Sequence, residues 1–247
     1  MKDWIEGTVA ENIHWNENLF SLKVAAEINP FVAGQFTSLA LDFDGERVAR
    51  PYSYLSSPGD DFAEFFLYTA KAGKLSNALA QLQIGDKLFI KQNANGFFTL
   101  DEIPDSRDIW LMGSGTGIAP YYSMLNTQSP WQRFDNIVLI HAVRTEADLK
   151  YRERAEKLKS LYGERFTFVP FVSRETVPDS LPGRIPQAIE QGLLEKTVGL
   201  ELSPEHSQVM LCGNPDMVKD TVDVLNERGM GKNRRRKPGH VTIENYW

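Results

Sequence analysis

The amino-acid sequence predicts two domains of different class, an antiparallel six-stranded β-barrel followed by an α/β domain with a parallel sheet. Three observations carry this expectation. Up to about residue 101 the chain holds six short runs rich in β-branched and aromatic residues, separated by turn-forming residues. Beyond that point, apolar runs of strand length alternate with segments of helical spacing, the pattern of parallel strands with helices on both faces. Between the two lies Asp101-Glu102-Ile103-Pro104-Asp105-Ser106-Arg107, polar and proline-containing, which reads as a linker. The expected domains are therefore residues 1–101 and 102–247.

The elements follow in order. Trp4 to Val9, Phe20 to Val24, Phe36 to Leu41, Arg47 to Leu55, Glu64 to Thr69 and Lys87 to Ile90 are each strand-sized. Asp44-Gly45 between the third and fourth is a hairpin turn signal. Leu75, Leu79 and Leu82 recur at helical spacing, so a short helix is expected to plug one end of the barrel. In the second half, Ile109 to Met112, Ile137 to Ala142, Phe166 to Val172 and Val209 to Cys212 read as strands. Helices are expected from Ala119, over the charged segment Glu146 to Tyr162, over Arg184 to Gln191 and over Asp216 to Arg228. No internal repeat or low-complexity tract interrupts this order.

Composition narrows the function. A hydrophobic content of 42% with 24% charged residues belongs to a chain with a full core. The net charge of -6 disfavours bulk nucleic-acid binding. A single cysteine rules out an internal disulfide, a thiolate zinc site and a four-cysteine iron–sulfur cluster. His14, His141, His206 and His240 lie far apart without metal-ligand spacing and read as surface or internally satisfied side chains. The N-terminal Met-Lys-Asp-Trp-Ile-Glu lacks the apolar core of a signal peptide, and no run approaches the ~18 apolar residues of a membrane span. A cytoplasmic monomer with no metal, membrane or nucleic-acid partner is expected.

The candidate site residues cluster where strands end. Ile109 to Met112 empties into Gly113, Gly115 and Gly117, and Pro120 suits the first turn of the helix that follows. Such a turn lets backbone approach a bulky anionic ligand, although G-x-G-x-G is not the G-x-G-x-x-G fingerprint and a tight strand-to-helix corner is the other reading. Arg50-Pro51-Tyr52-Ser53-Tyr54 offers a guanidinium fork for a pyrophosphate, an aromatic face and a small hydroxyl, the groups a flavin dinucleotide needs. Strict alternation puts Arg50, Tyr52 and Tyr54 on one face and Pro51 and Ser53 on the other, so a ligand touching both Tyr52 and Ser53 requires a twisted strand end or a main-chain contact. Gly73-Lys74-Leu75-Ser76 opens the short helix, where Ser76, the first amides and Lys74 suit a phosphate.

Cys212-Gly213-Asn214-Pro215-Asp216-Met217 is a second strand-to-helix corner. Its cysteine is either inert packing or a small soft group against a nicotinamide ring. Arg144, Arg174 and Arg184 each fall past a strand end or at a helix entry. Where an NAD-selective fold ends its second strand with an acidic residue, this chain has His141-Ala142-Val143-Arg144, which favours a 2′-phosphate. Lys232, Arg234, Arg235, Arg236 and Lys237 form a basic cluster, read as a solvated loop or as a surface that steers a small acidic partner.

The ordered set Arg-x-Tyr-Ser, Gly-Lys-Leu-Ser, Gly-Ser-Gly-Thr-Gly-Ile-Ala-Pro, Ser-Arg and Cys-Gly-Asn-Pro resembles the ferredoxin/flavodoxin-NADP+ reductases of bacterial type, across essentially the whole chain. The resemblance implies a flavin-binding barrel, an NADP(H)-binding α/β domain, and hydride transfer between NADPH and FAD followed by single-electron transfer to ferredoxin or flavodoxin. It implies that Arg50, Pro51, Tyr52, Ser53 and Tyr54 hold FAD, with Ser53 at the flavin N5, and that Lys74, Leu75 and Ser76 take its phosphates. Thr116 would lie where flavin and nicotinamide meet, Cys212 would flank the nicotinamide as the second catalytic residue, and Arg144, Ser173, Arg174 and Arg184 would take the NADP 2′-phosphate. Asn214, Asp216 and Met217 would line the same crevice. The chain closes with Tyr246-Trp247 where plant-type members end in a flavin-stacking tyrosine, so either ring would cover the isoalloxazine or the FAD adenine. An NAD(P)H:flavin reductase, or an oxygenase reductase lacking an iron–sulfur cluster, is the alternative.

Overall fold

A computed structural model describes residues 3–245 of the chain. Its contacts divide into two units, one formed by the chain up to Thr99 with Ala119–Thr127, the other by Leu100–Ile118 with the chain from Gln128 onward.

The first unit holds β1 (Trp4–His14), β2 (Leu19–Ala25), β3 (Phe36–Phe43), β4 (Glu46–Ser53), β5 (Ala63–Tyr68), helix α1 (Lys74–Gln81) and β6 (Lys87–Lys91). The strands form one antiparallel sheet in the order β4-β3-β6-β1-β2-β5. Its two edges meet through a bridge between Tyr54 and Phe65, with Leu55 N donating to Glu64 O at 2.8 Å, so the six-stranded sheet closes on itself. The β3–β4 turn has positive φ at both Asp44 (53°) and Gly45 (84°), the primed geometry that an Asp-Gly hairpin selects. Leu75 and Leu79 of α1 are buried in the same cluster as Phe20, Leu22, Leu39, Phe65 and Ile90, and Leu82 packs against it. The helix therefore plugs the barrel as its leucine spacing predicts.

β1 runs five residues beyond the expected Val9, through a bulge between Val9 and Glu11. Its polar end is recruited by tertiary structure. Asn12 Nδ2 lies 3.3, 3.2 and 2.8 Å from the carbonyls of Leu79, Ala80 and Leu82, and His14 Nε2 lies 2.9 Å from Ala80 O. The strand thus meets carbonyls at the C-terminal end of α1, beside the capping bond from Leu82 N to Leu79 O at 3.3 Å.

The second unit holds β7 (Asp108–Ser114), β8 (Asn136–Val143), β9 (Phe166–Val172), β10 (Leu181–Pro182), β11 (Ser207–Gly213) and β12 (Val241–Asn245), parallel throughout and ordered β10-β9-β8-β7-β11-β12. Helices α3 (Ser129–Arg133), α4 (Arg152–Tyr162), α5 (Ile185–Glu190), α6 (Leu193–Val198) and α7 (Pro215–Glu227) complete it, while α2 (Ala119–Leu125), which follows β7, groups with the first unit. Trp110, Met112, Val138, Ile140, Val209 and Leu211 lie in one buried cluster, and β7 and β11 are buried along almost their whole length, as parallel strands covered on both faces must be.

Two expectations are corrected. The charged segment from Glu146 is not one helix: a capping box between Thr145 and Asp148 closes a single 3-10 turn, Tyr151 adopts a left-handed φ of 63°, and α4 starts only at Arg152. The glycine turn closes as a 3-10 turn, Gly115–Ile118, and α2 begins at Ala119 as expected. The sheet also gains β10 and β12, two edge strands too short or too polar to register as apolar runs.

Candidate functional site

In the parallel sheet the chain moves outward from β7 through β8 and β9 to β10, then returns to place β11 on the other side of β7. The strand order reverses between β7 and β11. Loops diverge at such a switch point, and the crevice beyond the carboxyl ends of the strands is where ligands of open α/β sheets bind. The two strand-to-helix corners picked out by sequence, Gly113 to Ile118 and Gly213 to Met217, are the loops that leave these two strands.

The corners are fitted to each other through backbone. A Cβ at Gly117 would lie 2.6 Å from Cys212 O and 2.8 Å from Cys212 C, so no larger residue fits there without moving β11. Gly213 has φ +128°, and a Cβ there would lie 2.7 Å from Ser114 O. Ser114 Oγ accepts a hydrogen bond from Asn214 N at 2.9 Å, tying the end of β7 to the entry of α7. Asn214 caps α7, its Oδ1 accepting from Asp216 N at 3.0 Å and Met217 N at 3.2 Å, with Pro215 in the first turn. Asp216 is exposed, whereas Met217 is half-buried and packs on the core of the unit. Thr116 sits half-buried in the turn, between exposed Gly115 and buried Gly117.

The arginines stand at the carboxyl ends of adjacent strands. Arg144 follows β8 and Arg174 follows β9, and the ladder continues past both strands: Ser173 N donates to Val143 O at 3.1 Å and Arg174 N to Arg144 O at 2.9 Å. Ser173 Oγ also donates to Val143 O, at 3.2 Å. Arg184 is the N-cap residue of α5, just beyond β10, which pairs with β9. All three guanidinium side chains are exposed, and among the described residues none has a carboxylate partner. By contrast, Arg47, Arg107, Arg133, Arg152, Arg228 and Arg235 are all ion-paired.

On the barrel, Arg50 is exposed on edge strand β4, and its Nη1 donates to Ala49 O at 2.7 Å. Pro51 is exposed, Tyr52 half-buried and Ser53 buried at 5% exposure. Burial pushes the Tyr52 hydroxyl up to about 12 against the opposing charge of Arg50, so this phenol stays protonated and a donor at neutral pH. Tyr54 corrects the alternation expected for this strand. β4 ends at Ser53, and Tyr54 turns into the barrel with 0% exposure, its ring 4.1 Å from Phe31 and 5.3 Å from Phe65. Its side chain is core and offers no surface to a ligand.

At the entry of α1, Lys74 is exposed with Nζ 4.4 Å from the Phe43 ring centroid. Leu75 is core, so its side chain is taken up by packing. Ser76 Oγ accepts from Ala70 N at 3.1 Å and donates to Gly73 O at 3.2 Å, which fixes the turn before the helix.

Cys212 has no exposed surface, and a Cβ at Gly117 would lie 2.6 Å from its carbonyl, so the backbone of this residue sets the height of the turn. Tyr246 and Trp247 lie outside the described residues. Of the basic cluster, Arg235 is taken by Glu102, donating to both its carboxylate oxygens at 3.0 and 2.8 Å, while Lys232, Arg234, Arg236 and Lys237 are exposed and have no acidic partner among the described residues. Among the described residues no cluster of metal-ligating side chains occurs, and no helix is long and apolar enough to cross a membrane.

Two residues that sequence reasoning passed over belong to this site. Ser114 was hidden inside the glycine motif. His141, read as a surface or satisfied histidine, is fully buried, with Nε2 2.9 Å from Gly115 O.

Comparison with known proteins agrees with this geometry. The family model of the oxidoreductase FAD-binding domain matches residues 7–98, and that of the oxidoreductase NAD-binding domain matches residues 111–223. The chain is 49% identical over 248 residues to the flavodoxin/ferredoxin–NADP reductase of Escherichia coli (strain K12), covering 100% of both chains. It is 30% identical to the ferredoxin–NADP reductase of Azotobacter vinelandii, over 94% of this chain and 93% of that one. A crystal structure of a ferredoxin NADP+ reductase from Neisseria gonorrhoeae with bound FAD and NADP superposes with a TM-score of 0.95 at 32% identity, over 100% of both chains.

Proposed function

The chain belongs to the flavodoxin/ferredoxin–NADP reductase family, and from that membership we propose that it moves electrons between NADPH and a ferredoxin or flavodoxin through FAD. The observation that carries the choice of NADPH is the row of three exposed arginines, Arg144, Arg174 and Arg184, without a carboxylate partner among the described residues, beyond adjacent strand ends in a chain of net charge -6. Cations left without partners there suit a phosphate dianion, and a guanidinium fork binds phosphate in two-point fashion. FAD, when bound, takes the two electrons of a hydride together and releases them singly.

The residues divide the work. In our reading residues 1–101 hold FAD, with exposed Arg50 at the pyrophosphate, protonated Tyr52 on the isoalloxazine and the Ser53 hydroxyl at the flavin N5. Lys74, Ser76 and the amide of Leu75 serve the phosphates. Residues 102–247 bind NADPH: Arg144, Ser173, Arg174 and Arg184 take the 2′-phosphate, and Thr116 with Asn214, Asp216 and Met217 lines the path of the nicotinamide. Gly117 and Gly213 let main chain approach the dinucleotide without a Cβ in the way. No acid–base triad is required, because the protein supplies position and electrostatics. Exposed Lys232, Arg234, Arg236 and Lys237 steer the acidic carrier protein, raising its encounter rate. The enzyme acts as a cytoplasmic monomer in this reading.

The test is an anaerobic titration of the purified protein with NADPH and, separately, with NADH, following flavin absorbance. Fast bleaching by NADPH and a sluggish response to NADH are expected. A protein that cannot be reconstituted with FAD overturns the reading, and equal responses transfer it to an NAD(P)H:flavin reductase. Ser53→Ala is expected to slow flavin reduction by about a hundredfold, the scale of one lost catalytic orientation, with little change in NADPH affinity. A loss confined to affinity removes Ser53 from the flavin N5.

A further inference from the structure

The glycine turn is held at two places of different kind. At Gly117 the restraint is steric, since the Cys212 carbonyl leaves room for nothing larger. At Gly115, by contrast, a Cβ would meet nothing within 4 Å, and the residue is exposed with φ +55°. Packing does not select that left-handed conformation from the several open to glycine. The interaction that does engage Gly115 comes from the neighbouring strand. β8 runs parallel to β7 with His141 in register with Gly113, and the imidazole Nε2 reaches 2.9 Å from the Gly115 carbonyl.

We infer that His141 is a positioning residue for the dinucleotide turn: an imidazole neutral at physiological pH, with its hydrogen on Nε2, that pins the Gly115 carbonyl and thereby orients Thr116 between two fixed points. The tautomer follows from elementary chemistry. An amide carbonyl only accepts, so the ring nitrogen facing it carries the hydrogen. Nδ1 is buried and makes no hydrogen bond among the described residues, so nothing stabilises a proton there. The acid whose charge reaches the ring, Asp148, points its Oδ2 at Thr145, accepting from N at 3.3 Å and Oγ1 at 2.9 Å, and does not bond the imidazole. A cation is therefore excluded and a single directed N–H is left. The inference deepens the reductase reading, on which it rests for the role of the turn.

Two variants and one spectrum test it. In anaerobic stopped-flow with NADPH, His141→Phe keeps the ring volume and removes the donor, and is expected to lower the limiting rate of flavin bleaching roughly tenfold or more while NADPH affinity changes little. His141→Gln carries an amide N–H near the same place and is expected to recover most of that rate. A His141→Phe protein at the wild-type rate, or a His141→Gln protein as slow as His141→Phe, overturns the inference. If the variants do not fold, nitrogen-15 spectra of the wild-type imidazole decide: one protonated and one unprotonated nitrogen, with Nε2 as the protonated one and no change from about pH 5 to 8, are required. A ring that titrates in that range, or carries its hydrogen on Nδ1, overturns it. Wild-type protein unreactive toward NADPH would instead sink the reductase reading, and the spectrum would still judge His141.

Discussion

At His141, burial drives the imidazole down from its ordinary 6.5 to about 4, the bond to Gly115 O opposing the shift. The unfolded chain therefore takes up a proton on this ring at a pH where the folded chain does not. Stability rises with pH wherever the unfolded state holds more protons, so the protein is expected to lose stability as pH falls from about 6.5 to 4, by up to about 3 kcal/mol from this residue. Urea denaturation of the wild type and of His141→Gln across that window checks the sign. The midpoint of the wild type should fall more steeply with acidification than that of the variant. Little in the sequence announces this residue, because its partner is 26 positions away along the chain and only the β7–β8 register brings the two together. Tyr54 was hidden for a related reason. The Arg50 to Tyr54 string reads as one amphipathic strand, but the strand ends at Ser53, two residues short of the expected Leu55, and Tyr54 bridges to Phe65 with its ring turned inward.

Among the elements, the switch-point loops show what glycine buys in this fold. Gly117→Ala is expected to push the turn off the Cys212 carbonyl, slow flavin reduction by at least about tenfold and cost about 1 to 3 kcal/mol, the usual range for overpacking. Thermal melting together with stopped-flow reduction checks both parts. Wild-type behaviour in each would mean that β11 yields to the methyl group. The strands and longer helices that carry the site were legible in sequence, because buried parallel strands such as Ile137 to Ala142 are continuous apolar runs and barrel strands are rich in β-branched and aromatic residues. Elements defined by pairing alone were not legible. β10 has two residues, β12 follows a basic loop, and the extension of β1 to His14 depends on carbonyls of α1 that no local pattern reveals.

On the scale of the whole molecule, charge is arranged against its own average. The acidic surplus of the chain repels nucleotides and acidic proteins alike, yet the carboxyl edge of β8, β9 and β10 presents cations that no acidic side chain among the described residues bonds. Replacing Arg174 and Arg184 together by alanine removes two charge-assisted bonds of roughly 1.5 to 3 kcal/mol each, so the preference for NADPH over NADH is expected to fall about a hundredfold or more. The ratio of kcat/KM values for the two nucleotides measures it, and an unchanged ratio would place the 2′-phosphate elsewhere. The position of these arginines was readable in advance, since a residue that follows a strand-length run in an alternating α/β pattern lies past a strand end whatever the details of packing.

The chain has one thiol, on a residue with no exposed surface whose carbonyl lies under the turn at Gly117. An alkylating reagent can reach it only when the end of β11 opens locally, so the rate of labelling is a clock for local opening beside the site. Modification in the resting protein should be slow against a small-molecule thiol. A nucleotide that presses the turn down should slow it further, which makes the buried Cys212 a reporter of occupancy that needs neither colour nor turnover.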